Sequence, residues 1–135
     1  MYLLLWPFIQ LKNIKEVSNL VETQTFSVPA VRFCKQLEAF RKEVNKEMHP
    51  LQMVIFLEVV NKPRLTVNSN YIQKILAIGQ SSASRHCKRL TLEAKDGYGL
   101  CIFVYGYNEY RSKYLELTTK GLLVAEAIRP VFNNP

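Results

Sequence analysis

A chain of 135 residues, 48% of them hydrophobic, has the size of one domain and enough apolar material for one core, which excludes an intrinsically disordered chain. A count of 18 Lys and Arg against 11 Asp and Glu leaves a net charge of +7, which favours polyanionic partners such as nucleic acid or anionic lipid. Cys34, Cys87 and Cys101 are odd in number with no CxxC spacing, and His49 and His86 fall outside zinc-ligand spacing, so the pattern excludes a disulfide framework and a metal site and points to a reducing cytoplasm with all three thiols buried.

Residues 1–9 form an apolar run far short of the ~20 residues a membrane helix needs. The run has no basic flank and no cleavage site, so it reads as neither a membrane anchor nor a signal peptide. Residues 1–27 are taken as an apolar arm that packs on the domain or on a second subunit. Within it, residues 11–22 have helical spacing, and residues 23–27 are a polar break. Residues 28–135 are taken as the folded domain. Pro29 suits the first turn of a helix reaching about Lys46, with Val31, Phe33, Cys34, Leu37, Phe40 and Val44 on one stripe. Such a stripe is core or a dimer seam. Pro50 opens a helix to about Asn61 that has almost no polar face, and Pro63 stops it. Asn68, Ser69 and Asn70 supply caps for a short helix holding Tyr71, Ile72, Ile75 and Leu76. Gly79 marks a tight turn before a helix over residues 80–93. The β-branched and aromatic run 100–105 reads as a strand, Gly106 and Asn108 as a turn, and residues 110–117 as the returning strand. Thr118 caps a last helix over about 119–132, disturbed at Pro130. The predicted class is α+β, mainly α. Three helices followed by a hairpin is the order of a winged helix-turn-helix, here with additional N- and C-terminal helices.

Residues 79–90 are the most informative stretch. In a helix, Ala83, Cys87 and Leu90 fall at i, i+4 and i+7 and make a narrow inward face. Ser81, Ser82, Ser84, Arg85 and Lys88 fall opposite, with Arg89 toward one edge. Small hydroxyl residues at a helix N-terminus permit close approach of DNA, and the N–H groups there favour phosphate. Arg and Lys donate to guanine edges in the major groove. This is the specification of a recognition helix. The plainer reading of the same charges is a solvated basic face.

The run Gln80-Ser81-Ser82-Ala83-Ser84-Arg85-His86 resembles the start of the recognition helix in MarR-type transcriptional regulators. Tyr114-Leu115-Glu116-Leu117-Thr118-Thr119-Lys120-Gly121 resembles that family's strand-to-helix signature, Leu-Thr-x-x-Gly. The resemblance spans residues 28–132. It implies a cytoplasmic homodimer that binds double-stranded DNA and regulates transcription, without enzymatic activity or cofactor. The helix from Pro29 and the helix after Thr118 would make the subunit contact. Two recognition helices would then meet successive major grooves, with half-sites ~10 bp apart. Gln80, Ser81, Ser82, Ser84, Arg85 and Lys88 would read bases or clamp phosphate, and Arg89, Arg111 and Lys113 would contact phosphate. The family's Asp-x-Arg wing pattern falls on Gly106 and Asn108, which do not match it. Asn108 is kept as a hairpin-tip contact, and the wing is expected to read the minor groove weakly or not at all.

Tyr98, Phe103, Tyr105, Tyr107, Tyr110 and Tyr114 suit cross-strand packing in the hairpin, while stacking on single-stranded bases is the sharper alternative. The sequence has no Gly-rich phosphate loop, paired-carboxylate motif or nucleophile elbow. Cys87 with His86 would make a poor catalytic pair, because adjacent helical residues point apart. Two further functions fit the same residues: a winged-helix module that binds another protein, for example a phage protein on a host factor, and a replication-associated single-strand binder.

Overall fold

A computed structural model of the chain describes residues 28–107 and 111–133. The expected helix over residues 11–22, and Asn108 and Tyr110 at the hairpin tip, lie outside the described residues. The chain divides into two units, Met1–Cys34 and Lys35–Pro135. In the first, the described residues are the opening turns of helix α1 (Val28–Glu43), which expose Val28, Val31, Phe33 and Cys34. Cys34 therefore departs from the expectation of three buried thiols. Its place on the apolar stripe is real, but at this end of α1 the stripe faces outward.

Among the described residues the fold is mainly helical with one antiparallel two-stranded sheet. Among the described residues, α1 is followed by α2 (Pro50–Asn61), α3 (Ser69–Leu76), α4 (Gln80–Arg89), the hairpin β1 (Cys101–Tyr105) and β2 (Lys113–Leu117), and α5 (Thr119–Asn133). Most boundaries have a local cause. Pro50 occupies the first position of α2, and His49 Nδ1 accepts the Leu51 N–H at 3.0 Å. Lys62 is extended, as the residue before Pro63 must be, and the helix ends beside it. Asn68 Oδ1 accepts the Tyr71 N–H at 2.8 Å and opens α3. Thr118 Oγ1 accepts the Gly121 N–H at 3.1 Å and opens α5.

The tight turn between α3 and α4 takes its left-handed residue from Ala77, at φ 52°, and Gly79 is the extended N-cap of α4, at φ −73°. One helix end needs correction. Helix α4 ends at Arg89, four residues early. Thr91 Oγ1 donates to Lys88 O at 2.7 Å, while the Arg89 and Leu90 carbonyls accept N–H groups from residues 98, 100 and 101. Helix α5 runs to Asn133 with Pro130 inside it. The carbonyl that loses its donor there belongs to Glu126, an exposed residue, so water can serve it.

The core lies where the end of α1, helices α2–α5 and the hairpin converge. Phe40 packs edge-on against Phe56 and Phe132, with ring centroids 6.0 Å apart in both pairs. Ile55, Ile72, Leu90 and Leu100 are completely buried around them. Burial of each such side chain stabilises the fold by about 1.5–3 kcal/mol. Helix α2 is apolar nearly all round, but Val54 still faces solvent. Tyr71 Oη donates to Glu58 Oε1 at 2.6 Å, tying α3 to α2, and the bond holds the phenol pKa above its ordinary value. The hairpin pairs Phe103 with Leu115 and Tyr105 with Lys113. Both of its edges are stitched to the helical part: Leu115 N–H donates to Val67 O at 2.8 Å, and Cys101 N–H to Leu90 O at 3.0 Å.

Candidate nucleic-acid interface

Helix α4 is divided lengthwise. Ala83, Cys87 and Leu90 are 0%, 1% and 0% exposed, so one side of the helix is sealed into the core. Gln80, Ser81, Ser84, Arg85 and Lys88 are exposed on the other side, and Ser82 is half-buried. Arg89 is drawn partly inward. Its guanidinium carbon lies 4.9 Å from the centre of the buried Tyr98 ring, and its Nε is buried without a hydrogen-bond partner. That geometry suits a packing role on Tyr98 alongside any phosphate contact.

A cleft of about 350 Å³ runs between α4, the start of α3 and the returning strand. Gln80, Ser84 and Lys88 line it from α4, and Arg111 and Lys113 from the hairpin. The hairpin thus brings two cations alongside the third on α4, although Lys88 and Arg111 are 23 positions apart in sequence. One carboxylate, Glu93, shares the lining. Arg111 lies in the turn before β2, and Lys113 is its first residue, with Nζ 5.6 Å from the centre of the Phe103 ring. Arg85 is exposed but does not line the cleft. Asn108 lies outside the described residues. Tyr107 is 84% exposed next to the hairpin tip, and Tyr105 is also exposed, whereas Tyr98 belongs to the core.

Several contributors were not singled out for the site from sequence. Asn68, Ser69 and Asn70 line the same cleft, and Ser69 Oγ is buried there without a partner. The signal was present, since these residues were read as caps, and a helix start that caps also presents N–H groups to an anion. His86 was overlooked on the inner face. It is 7% exposed and shares a hydrogen bond with Gln52 of α2 at 3.1 Å. Burial first, then the charges of His49 and Arg85, hold its pKa below the ordinary histidine value. Burial pushes the Cys87 thiol up to about 12, and burial with the charge of Cys87 does the same for Cys101. Neither is a usable nucleophile near neutrality. Among the described residues no three His, Cys, Asp or Glu side chains gather as a metal site, and no helix is long and apolar enough to cross a membrane.

Compared with protein-family models, curated proteins and solved structures, the chain matches none.

Proposed function

We propose that the chain is a MarR-like winged helix-turn-helix regulator that binds double-stranded DNA and acts without catalysis or cofactor. The observation that carries this reading is the division of α4: an inner edge locked in the core and an outer edge of hydroxyl, amide and cationic side chains, continued by the cations of the hairpin. In this reading α3 and α4 are the helix-turn-helix, α4 enters the major groove, and β1–β2 is the wing. The 10 residues of α4 span about 15 Å, and a helix about 10–12 Å across with its side chains suits a groove about 12 Å wide. Arg85 reads base edges. Lys88, Arg111 and Lys113 hold the phosphate strand that runs along the cleft. The regulator works as a homodimer, and Leu122 and Leu123 on α5 are exposed apolar side chains suited to the subunit contact.

Exposed Tyr105 and Tyr107 favour a second reading, in which the hairpin stacks single-stranded bases. Fluorescence anisotropy with duplex DNA, single-stranded DNA and RNA at two salt concentrations separates the two. The first reading expects duplex binding that weakens steeply with salt. Preference for single strands would favour the second, and no nucleic-acid binding at low salt would overturn both.

A further inference from the structure

The head of α2 and the inner edge of α4 are joined by a hydrogen-bonded chain with a demanding protonation state. Gln52 Oε1 accepts the backbone N–H of His49 at 3.2 Å. That contact fixes the amide, so Nε2 is the end that donates to His86 Nδ1 at 3.1 Å. His86 must then keep a lone pair on Nδ1 and carry its proton on Nε2. His49 is constrained in the same way, because its Nδ1 accepts the Leu51 N–H at 3.0 Å. Both rings therefore serve as acceptors through Nδ1. An imidazolium has two N–H donors and no lone pair, and can do neither task.

The surroundings offer a new positive charge little relief. The two rings lie 4.6 Å apart, tilted by 37°. Arg85 adjoins His86 on its own helix, and Cys87, Lys88 and Arg89 follow it. From α2 and its approach the ionisable groups are Lys46, Glu47, His49 and Glu58, and from α3 they are Tyr71 and Lys74. Glu58 is engaged by Tyr71 at 2.6 Å. The charges acting on His86 are those of His49 and Arg85, and both oppose a proton there.

We propose that His49, Gln52 and His86 form an acid-sensitive latch that holds α4 against α2 while both rings are neutral and lets go when either takes up a proton. The folded state binds the His86 proton more weakly than the unfolded chain, so the unfolded state gains protons first as pH falls. The contribution of His86 is complete above about pH 6.5 and weakens in acid, by up to tenfold in the folding constant per pH unit. Its consequence for DNA, a looser hold on the helix bearing Arg85 and Lys88, rests on the proposed function. The latch itself does not.

The chain holds 2 histidines, so its imidazole resonances are few enough to follow individually. At pH 8, nitrogen shifts should report the Nε2–H tautomer for both rings, and His86 should titrate below 6.5. The midpoint of urea unfolding should fall between pH 7.5 and 5.5, and fall less in the His49→Asn/His86→Asn double variant. Asparagine keeps an acceptor near the Nδ1 position but does not titrate. An Nδ1–H tautomer at either ring, a His86 titration at or above 6.5, or an equal pH response in the double variant would overturn the latch. Should the double variant not fold, the wild-type tautomers and the His86 titration decide. No nucleic acid enters these measurements, so failure to bind a duplex and failure of the latch are separate results.

Discussion

Replacing Gly121 with alanine tests how closely α5 is seated on the hairpin. In an open helix interior this change adds about 1 kcal/mol of stability, because alanine is the better helix former. Here the sign should reverse. A β-carbon at position 121 would lie 2.1 Å from the Leu100 carbonyl oxygen and 3.1 Å from its carbon. The gap would have to open by about 1 Å, and the obstacle is backbone. The same carbonyl accepts the Thr118 N–H at 3.0 Å, and the Cys101 N–H of that peptide donates to Leu90 O at 3.0 Å, so movement strains both ends of the peptide. Overpacking costs about 1–3 kcal/mol, and one lost hydrogen bond about 1 kcal/mol more. Against the helix gain of about 1 kcal/mol, the net loss is about 1–3 kcal/mol, or roughly 3–15 °C in Tm. Urea unfolding followed by circular dichroism measures it. A Gly121→Ala midpoint equal to or above wild type would refute the close seating, and with it the steric account of the glycine in the Leu-Thr-x-x-Gly run.

Ala77→Gly should instead stabilise by about 0.5–1 kcal/mol, since glycine relieves a left-handed residue at a modest entropic cost; an unchanged or lower urea midpoint would contradict the assigned turn. Alkylation at pH 8 should label Cys34 quickly and leave Cys87 and Cys101 unmodified until denaturant is added. With thiol pKa values pushed up to about 12, about one molecule in ten thousand is thiolate at that pH. Equal labelling of all three in the native protein would show the hairpin core to be open. Lys88→Ala should weaken binding evenly across duplex sequences and reduce the slope of log affinity against log salt by about one; an unchanged slope would remove Lys88 from the phosphate contacts.

Much of the fold was legible because its boundaries are local. Pro50 and Pro63 bracket α2, Asn68 opens α3 and Thr118 opens α5, each through chemistry confined to three or four residues. The inner edge of α4 was readable in the same way from the spacing of Ala83, Cys87 and Leu90. What escaped is non-local. The early end of α4 follows from backbone bonds to residues 98–101, and no pattern within the helix announces them. His86 sits at the i+3 position from Ala83 and belongs to the inner edge by geometry, but its partner Gln52 is 34 residues away. The left-handed turn fell on Ala77 despite a glycine two residues later, so position in the turn outweighed local propensity there. The cationic cleft could be guessed residue by residue, yet its assembly from α3, α4 and the hairpin is a property of the fold.

Selection of bound duplexes from a random pool, with wild type and Arg85→Ala in parallel, bears most directly on the claim that α4 reads DNA. Wild type should recover a roughly palindromic site with half-sites ~10 bp apart. Arg85→Ala should lose preference at one position per half-site, a cost of about 1–3 kcal/mol against the best sequence. Recovery of no shared site by wild type, or of the same site with equal preference by the variant, would contradict it.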